Sequence, residues 1–194
     1  MKTAATPEAM MTAVDLEQPP APFADFDSVV RLHWPAVFRF ILASVRDRDA
    51  AESLTQDCFL RAHRASGRFR GDCSVHTWLM QIAVNLVRDR ARNRRLQFWN
   101  RARATAVDFD AASNWIPDED LSPEARLLAR EQVEAVWKAA GHLSERQRTV
   151  FLLRFVEEMQ ILEIAAATGM REGTVKVHLF RALEAVRNQL RRHV

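Results

Sequence analysis

Apolar residues recur along this chain at spacings of three and four, in blocks broken by short polar or glycine-containing stretches, which is the period of amphipathic helices. In residues 26–46 the apolar side is Val29, Val30, Trp34, Val37, Phe38, Ile41, Leu42 and Val45. Pro35 inside that block is expected to kink the helix or split it in two. A second helix, over about 49–65, places Ala50, Leu54, Cys58 and Ala62 four apart on one face and Glu52, Gln56, Phe59 and His63 on another. The basic, two-glycine turn RASGRFRGD follows. Residues 74–87 restart a helix with Val75, Trp78, Leu79, Ile82, Ala83 and Leu86 apolar, and it runs into Arg88-Asp89-Arg90-Ala91-Arg92-Asn93-Arg94-Arg95.

Periodicity fades over residues 100–123, which are acidic and contain Pro117, and it returns at Ser122-Pro123-Glu124, an N-cap with proline at the first helical position. That helix is expected to reach about residue 140. Ser144-Glu145-Arg146-Gln147 has the form of a capping box opening the next helix, whose Val150, Phe151, Leu153, Phe155 and Val156 supply apolar packing.

The last block, ILEIAAATGMREGTVKVHLFR from residue 161 to 181, has the spacing of a helix-turn-helix. Ala165 is small enough for a second helix to cross closely, Gly169 can adopt positive φ at the turn, and Val175 anchors the second helix on the first. In that second helix Val175, Leu179, Ala182, Leu183, Val186 and Leu190 form the buried stripe, while Lys176, Arg181 and Arg187 lie off it. A recognition helix inserts its N-terminal part into the major groove, so Arg171, Glu172, Thr174, Lys176, Val177, Phe180 and Arg181 are the candidates for bases and phosphates. An amphipathic helix with a solvated basic face would share the periodicity; the Ala-Gly-Val spacing favours DNA.

Composition narrows the class. The 194 residues are 48% apolar, with 5 Gly and no Tyr, and long stretches are rich in Ala, Leu, Arg and Glu, so the chain is read as all-α. The expected architecture is two small helical domains joined by a flexible linker: an acidic leader over 1–24, a first domain over 25–100, a linker over 101–121 and the helix-turn-helix domain over 122–194. Charge follows the same division. Residues 28–103 carry 15 Arg against six acids, and residues 125–194 carry 12 basic against eight acidic groups. Residues 104–124 carry six acids and no base, and residues 1–27 one Lys against five acids. Two basic segments around an acidic strip suggest two nucleic-acid contacts.

Cys58 and Cys73 form no CxxC and have no His pair at ligand spacing, so two free, partly buried thiols in a reducing cytosol are expected, with no metal and no cofactor. No apolar run follows Lys2, and no stretch is read as approaching the roughly 18 apolar residues of a membrane span. A cytoplasmic protein is expected. Phe59, beside Gln56 and Glu52, is read as an exposed aromatic of the kind that binds another protein. Trp78, at helical spacing among Leu and Ile, is read as packed. The five arginines from Arg88 to Arg95 are read as an anion-binding block, since so many like charges repel one another unless an anion relieves them.

Taken together these residues resemble the extracytoplasmic-function group of bacterial RNA polymerase sigma factors, over roughly residues 25–100 and 122–192. Three patches carry the resemblance. DAAESLTQDCFLRA from Asp49 is similar to region 2.2, which binds the clamp helices of the polymerase β′ subunit. TWLMQIAVNLVRDR from Thr77 is similar to regions 2.3 and 2.4, which open and read the −10 element. The stretch from Leu143-Ser144-Glu145-Arg146-Gln147 to Ala182 is similar to region 4, which reads the −35 element.

The resemblance implies an initiation factor that directs promoter recognition and melting and is no enzyme. Its implied partners are core polymerase (β′ clamp helices and β flap), promoter DNA and an anti-sigma factor. It implies polymerase docking by Glu52, Gln56, Asp57, Phe59, Leu60 and His63. It implies −10 contacts by Asn85, in a loop that receives a flipped base, and by Arg88, Arg92, Arg94 and Arg95. Arg171, Glu172, Thr174, Lys176, Val177, Phe180 and Arg181 fall where −35 contacts are made. The chain departs from the family pattern at Ser53, where an acid is common, at Glu158, where Gly often precedes the helix-turn-helix, at Gln160, where a Ser cap is frequent, and at Val177, which is often polar. Two other classes share parts of the pattern. A two-part repressor would have the helix-turn-helix but bind DNA without polymerase. A DNA-processing enzyme would need clustered carboxylates, for which Asp118-Glu119-Asp120 on a prolyl strip is a poor candidate.

Overall fold

The computed structural model of the chain describes residues 23, 25–98 and 122–192. The expected linker, and the expected leader apart from Phe23, lie outside the described residues. Every regular element among the described residues is helical, so the chain is all-α. The helices are α1 Phe26–Val45, α2 Arg48–Ala65, α3 Val75–Phe98, α4 Pro123–Gly141, α5 Glu145–Phe155, α6 Ile161–Thr168 and α7 Glu172–Arg192, with a single 3₁₀ turn at Ser66–Arg68 between α2 and α3.

Five of the starts, those of α1, α2, α3, α5 and α6, are fixed by a side chain that takes up a free backbone N–H. Asp25 accepts from the Ser28 amide at 3.2 Å, Asp47 from the Ala50 amide at 3.0 Å and Ser74 from the Thr77 amide at 3.1 Å. At α5 the Gln147 side chain accepts from the Ser144 amide at 3.1 Å and from its hydroxyl at 2.9 Å. At α6 Glu163 accepts from the Gln160 amide at 2.8 Å, so the glutamine that departs from the usual Ser still opens the helix through its partner three residues on. Pro35 lies inside α1 without splitting it.

Helices α1, α2 and α3 form one bundle around Val37, Phe40, Ile41, Cys58, Leu79, Met80 and Ala83, all fully buried. Burial of each of the larger side chains contributes about 1.5–3 kcal/mol. Helices α4 to α7 form a second around Leu152, Leu153, Ile164, Val175 and Ala182. The bundles are not separate: α3 packs along α6 and α1 against α5, and the buried side chains form one continuous cluster. The sequence pattern placed neither Phe40 nor Ala43 on the apolar side of α1. Both are buried, because α1 has neighbours on several sides, α2 and α3 in its own bundle and α5 in the other.

By length and composition alone α1 is apolar enough to cross a membrane, a test that a core helix also passes. Its apolar residues are used otherwise: Val29, Val37, Phe40, Ile41 and Ala43 are buried against neighbouring helices.

Candidate nucleic-acid interface

The turn between α6 and α7 is built as the sequence predicts. Gly169 closes α6 at φ 70, in the left-handed region that costs a residue without Cβ nothing, and its N–H bonds the Ala165 carbonyl at 2.9 Å. Val175 is fully buried and seats α7 on the bundle. Around it Arg171, Glu172, Thr174, Lys176, Val177, Phe180 and Arg181 are all exposed. Phe180 is 68% exposed and Val177 48%, so two large apolar side chains stand in water between cations on the first turns of a helix. An apolar surface interleaved with Lys and Arg fits a groove that presents thymine methyls and phosphates.

The second candidate surface lies on α3. Asn85, Arg88 and Arg92 follow one another at helical spacing and are exposed, so they share a face. Asn85 is in the middle of a 24-residue helix, which corrects its expected position in a loop. The irregular segment of this bundle is residues 66–74, where Gly71 has φ 76 and Arg68 and Arg70 are exposed. The arginine block is less uniform than its sequence suggests. Arg90 pairs with Asp47 at 3.3 Å and Arg92 with Asp89 at 3.3 Å, and Arg88 donates to the Thr168 carbonyl at 3.3 Å. Part of its mutual repulsion is therefore relieved within the chain. The side chains of Arg94 and Arg95 lie outside the described residues.

A third surface is the outer face of α2, where Glu52, Gln56, Asp57, Leu60 and His63 are exposed. Phe59 does not belong to it, contrary to its reading as an exposed aromatic. It is 5% exposed and stacks on Trp34 of α1, with ring centroids 5.6 Å apart and planes 15° apart. The residue that supplies apolar surface there is its neighbour Leu60, 48% exposed. The two were separable by period: Phe59 is one position after Cys58 and four after the buried Thr55, on the inner side of the helix.

Trp78 packs between Phe23 and Phe69, at centroid distances of 5.3 and 5.2 Å, as read from its spacing. Both cysteines are free thiols; burial pushes that of Cys58 up to about 12, which leaves it protonated. Among the described residues no group of three or more His, Cys, Asp or Glu stands together as a metal site.

Sequence reasoning did not find the polar contacts that join the bundles. Arg39 on α1 donates to both carboxylate oxygens of Glu157, at 3.0 and 2.9 Å. The Thr77 hydroxyl on α3 donates to Glu163 on α6 at 3.4 Å, and Arg46 donates to the Trp137 carbonyl near the end of α4 at 3.3 Å. None of these pairs has a local sequence signal, since the partners are more than 80 positions apart.

Comparison with known proteins places this geometry. The family model for sigma-70 region 2 matches residues 29–97, which hold α2 and most of α1 and α3, and that for sigma-70 region 4 matches residues 134–186, which include the helix-turn-helix. The chain is 32% identical to the RNA polymerase sigma-H factor of Pseudomonas aeruginosa over 83% of each chain. It is 26% identical to the ECF RNA polymerase sigma factor SigW of Bacillus subtilis, over 86% of this chain and 89% of that one. A solved structure of the sigma factor RpoE with the anti-sigma factor NepR from Bartonella quintana has the same fold, with a TM-score of 0.68 at 23% identity, covering 86% of this chain and 97% of that one. With its two matched regions in this order, and a relative above 30% identity along most of its length, the chain belongs to the extracytoplasmic-function group of the sigma-70 family.

Proposed function

We propose that this chain is a cytoplasmic initiation factor that joins core RNA polymerase, directs it to a two-part promoter and helps to melt it. The exposed face of α2, formed by Glu52, Gln56, Asp57, Leu60 and His63, docks on the polymerase. Asn85, Arg88 and Arg92 on α3 hold the −10 element, the arginines on phosphates and the amide on a base; Arg94 and Arg95 follow in the same run. Extrusion of a base costs a few kcal/mol, which stacking, hydrogen bonds and phosphate contacts offset. The N-terminal half of α7 enters the −35 major groove, where Lys176 and Arg181 meet phosphate or guanine and Val177 and Phe180 meet thymine methyls. The chain makes and breaks no covalent bond in this role. The neighbouring structure is that of a sigma factor held by an anti-sigma factor, and the same control is proposed for this chain.

The observation that carries this reading is the exposed ring of Arg171, Thr174, Lys176, Val177, Phe180 and Arg181 around a fully buried Val175, behind a bundle that presents a second basic face. Run-off transcription with core polymerase and genomic fragments, together with gel mobility of promoter DNA with and without core, tests it. Core-dependent, sequence-specific starts support it. Tight specific binding of DNA by the chain alone, with no start on any template, points to a repressor, and strand cleavage with Mg²⁺ to an enzyme.

A further inference from the structure

Three rings from separate parts of the chain meet at the head of the −10 face. Phe23 lies ahead of α1, Phe69 in the loop between α2 and α3, and Trp78 near the start of α3. Every pair of them is in contact. Phe23 meets Phe69 edge-on at 5.2 Å and Trp78 at 5.3 Å, and Phe69 meets Trp78 at 5.2 Å, in the tilted and edge-on geometries that aromatic quadrupoles favour. Phe23 has no part in starting its own helix: Asp25 caps α1 through the Ser28 amide, and Phe23 stands one residue outside the place from which a hydrophobic staple is made. Its ring is backed by Phe26 at 6.1 Å, which in turn meets His63 of α2 edge-on at 4.9 Å. Phe23 is therefore anchored on α1 and α2 and faces the loop and α3.

In the loop over residues 66–74, SGRFRGDCS, Phe69 is the one aromatic residue, and Gly71 carries the chain through a positive φ of 76. Phe69 is flanked by Arg68 and Arg70, both exposed, so the seat of its ring decides where two cations stand. The loop leads directly into α3, where Trp78, Gln81, Asn85, Arg88 and Arg92 follow one another at spacings of three and four and share a face. Trp78 is about 10 Å along the helix axis from Asn85. With Phe69 seated on Trp78, the loop arginines extend the row of Asn85, Arg88 and Arg92 past the N-terminal end of α3. Resting on the −10 assignment above, we propose that Phe23 is a positioning residue for the −10 strand. By closing the triangle of rings it holds the loop against Trp78, so that Arg68 and Arg70 meet phosphates of the same strand that the α3 face holds. Without Phe23 the Phe69 ring loses one of these two partners, the loop gains other placements, and the fraction of chains ready to take the strand falls.

The test uses holoenzyme assembled from core polymerase and the full chain. Its probes are a fluorescent single strand carrying a −10 sequence mapped by run-off transcription and, separately, a −35 duplex. Phe23→Ala should weaken binding of the single strand about tenfold and leave the duplex unchanged. The slope of log affinity against log salt for the single strand should become shallower by about 1.4, the share of two arginine contacts at roughly 0.7 each. Phe23→Tyr, which keeps the ring, should bind as wild type does. Phe69→Ala should match Phe23→Ala, and the double variant should lose little more than either, because both remove the same support. Circular dichroism checks helicity, and Phe23→Leu, which keeps apolar bulk without a ring, should still lose several-fold if Phe23→Ala fails to fold. Unchanged strand binding in both Phe23→Ala and Phe23→Leu, an unchanged salt slope, or a double variant weakened about a hundredfold, as for independent sites, overturns the proposal. So does an equal loss on the two probes, which would make Phe23 a prop of the whole fold. In each of these cases wild-type holoenzyme still binds the strand and the initiation reading stands; wild-type holoenzyme that ignores the strand sinks that reading and the role of Phe23 with it.

Discussion

The guanidinium of Arg46, just past the end of α1, occupies the space that a Cβ on Gly141, the last residue of α4, would fill. Glycine thus leaves room there for a residue of the other bundle and meets no backbone need of its own. Arg46 takes a left-handed φ of 55 as it leaves α1, and its Nη2 donates to the Trp137 carbonyl at 3.3 Å. Arg148 caps the same helix end from within the second bundle, through the carbonyls of Ala140, Gly141 and Leu143. Two cations thus sit at the negative end of the α4 dipole. Gly141→Ala should push the flexible end of Arg46 aside and lose about 1 kcal/mol of contact between the bundles. Within α4 alone the same change gains up to about 1 kcal/mol of helix propensity. Thermal melting should therefore change little, while limited proteolysis between the bundles quickens; slower or unchanged cleavage would refute the wedge.

Phe59 and Leu60 are adjacent in sequence and opposite in role. Phe59 is buried against Trp34, so Phe59→Ala should cost about 3–5 kcal/mol of stability, the range for an aromatic removed from a core. Leu60 is half exposed, and Leu60→Ala should leave the melting temperature within a degree or two while weakening retention on core polymerase about tenfold, as for a central interface side chain. Denaturation and core pull-down on the same two variants check both statements. Equal stability loss in the two would show that α2 is rotated from the orientation described here.

The difference between those neighbours indicates how far the sequence could be read. Helix existence, the capping of α5 and the positive φ of Gly169 were legible because each depends on residues within one turn of each other. The burial of Val175 and Cys58 was legible because period alone fixes a face. Phe59 was misread although its period sets it beside Thr55, Cys58 and Ala62 on the inner side of α2; what the sequence could not name is its partner, Trp34 on α1. Asn85 was assigned to a loop on resemblance, although the run from Val75 to Phe98 contains no glycine or proline to end the helix. The joining contacts, Arg39 with Glu157 above all, were not legible, since no local pattern pairs side chains 118 positions apart.

Glu158 has φ 54, a conformation that favours glycine, at the position where the family often has one. The Cβ costs about 1–2 kcal/mol in that region, and glycine returns about half of it through its greater freedom in the unfolded chain. Glu158→Gly should therefore stabilise the protein by about 0.5–1 kcal/mol. Urea denaturation with an unchanged slope and a higher midpoint is the expected result; a lower midpoint would mean that the Glu158 side chain makes a contact worth more than the strain.

His33 on α1 and His76 on α3 face each other with ring centroids 5.8 Å apart. Burial is the main reason both are harder to protonate than free histidine. For His33 the charge of His76 adds to it; for His76 Glu163 pulls the other way and Arg39 adds to the lowering. A folded pKa below the unfolded value of about 6.5 means that the unfolded chain takes up the proton first as pH falls. Stability should therefore be full above neutrality and decline as pH drops through 6.5. Burial raises the Glu157 carboxyl and so acts with the opposite sign. Comparison with His33→Gln/His76→Gln isolates the histidines: between pH 7.5 and 5.5 the wild type should lose more stability than the double variant, and parallel curves would exclude the pair as the cause.

On α7 the cations and the exposed apolar residues should fail differently when removed. Lys176 is exposed beside the buried Val175, with the reach to meet a phosphate. Lys176→Ala should weaken duplex binding about equally across sequences and lower the salt dependence of the affinity by roughly one unit of slope. Val177 carries no charge, so Val177→Ala should leave that slope unchanged and relax the choice of base at one position by about 1 kcal/mol, through the lost contact with a thymine methyl. Mobility shifts of core-bound protein on a −35 duplex series, repeated at several salt concentrations, distinguish the two. A salt slope altered by Val177→Ala, or a base preference altered by Lys176→Ala, would reverse the assignment and place the lysine on a base edge.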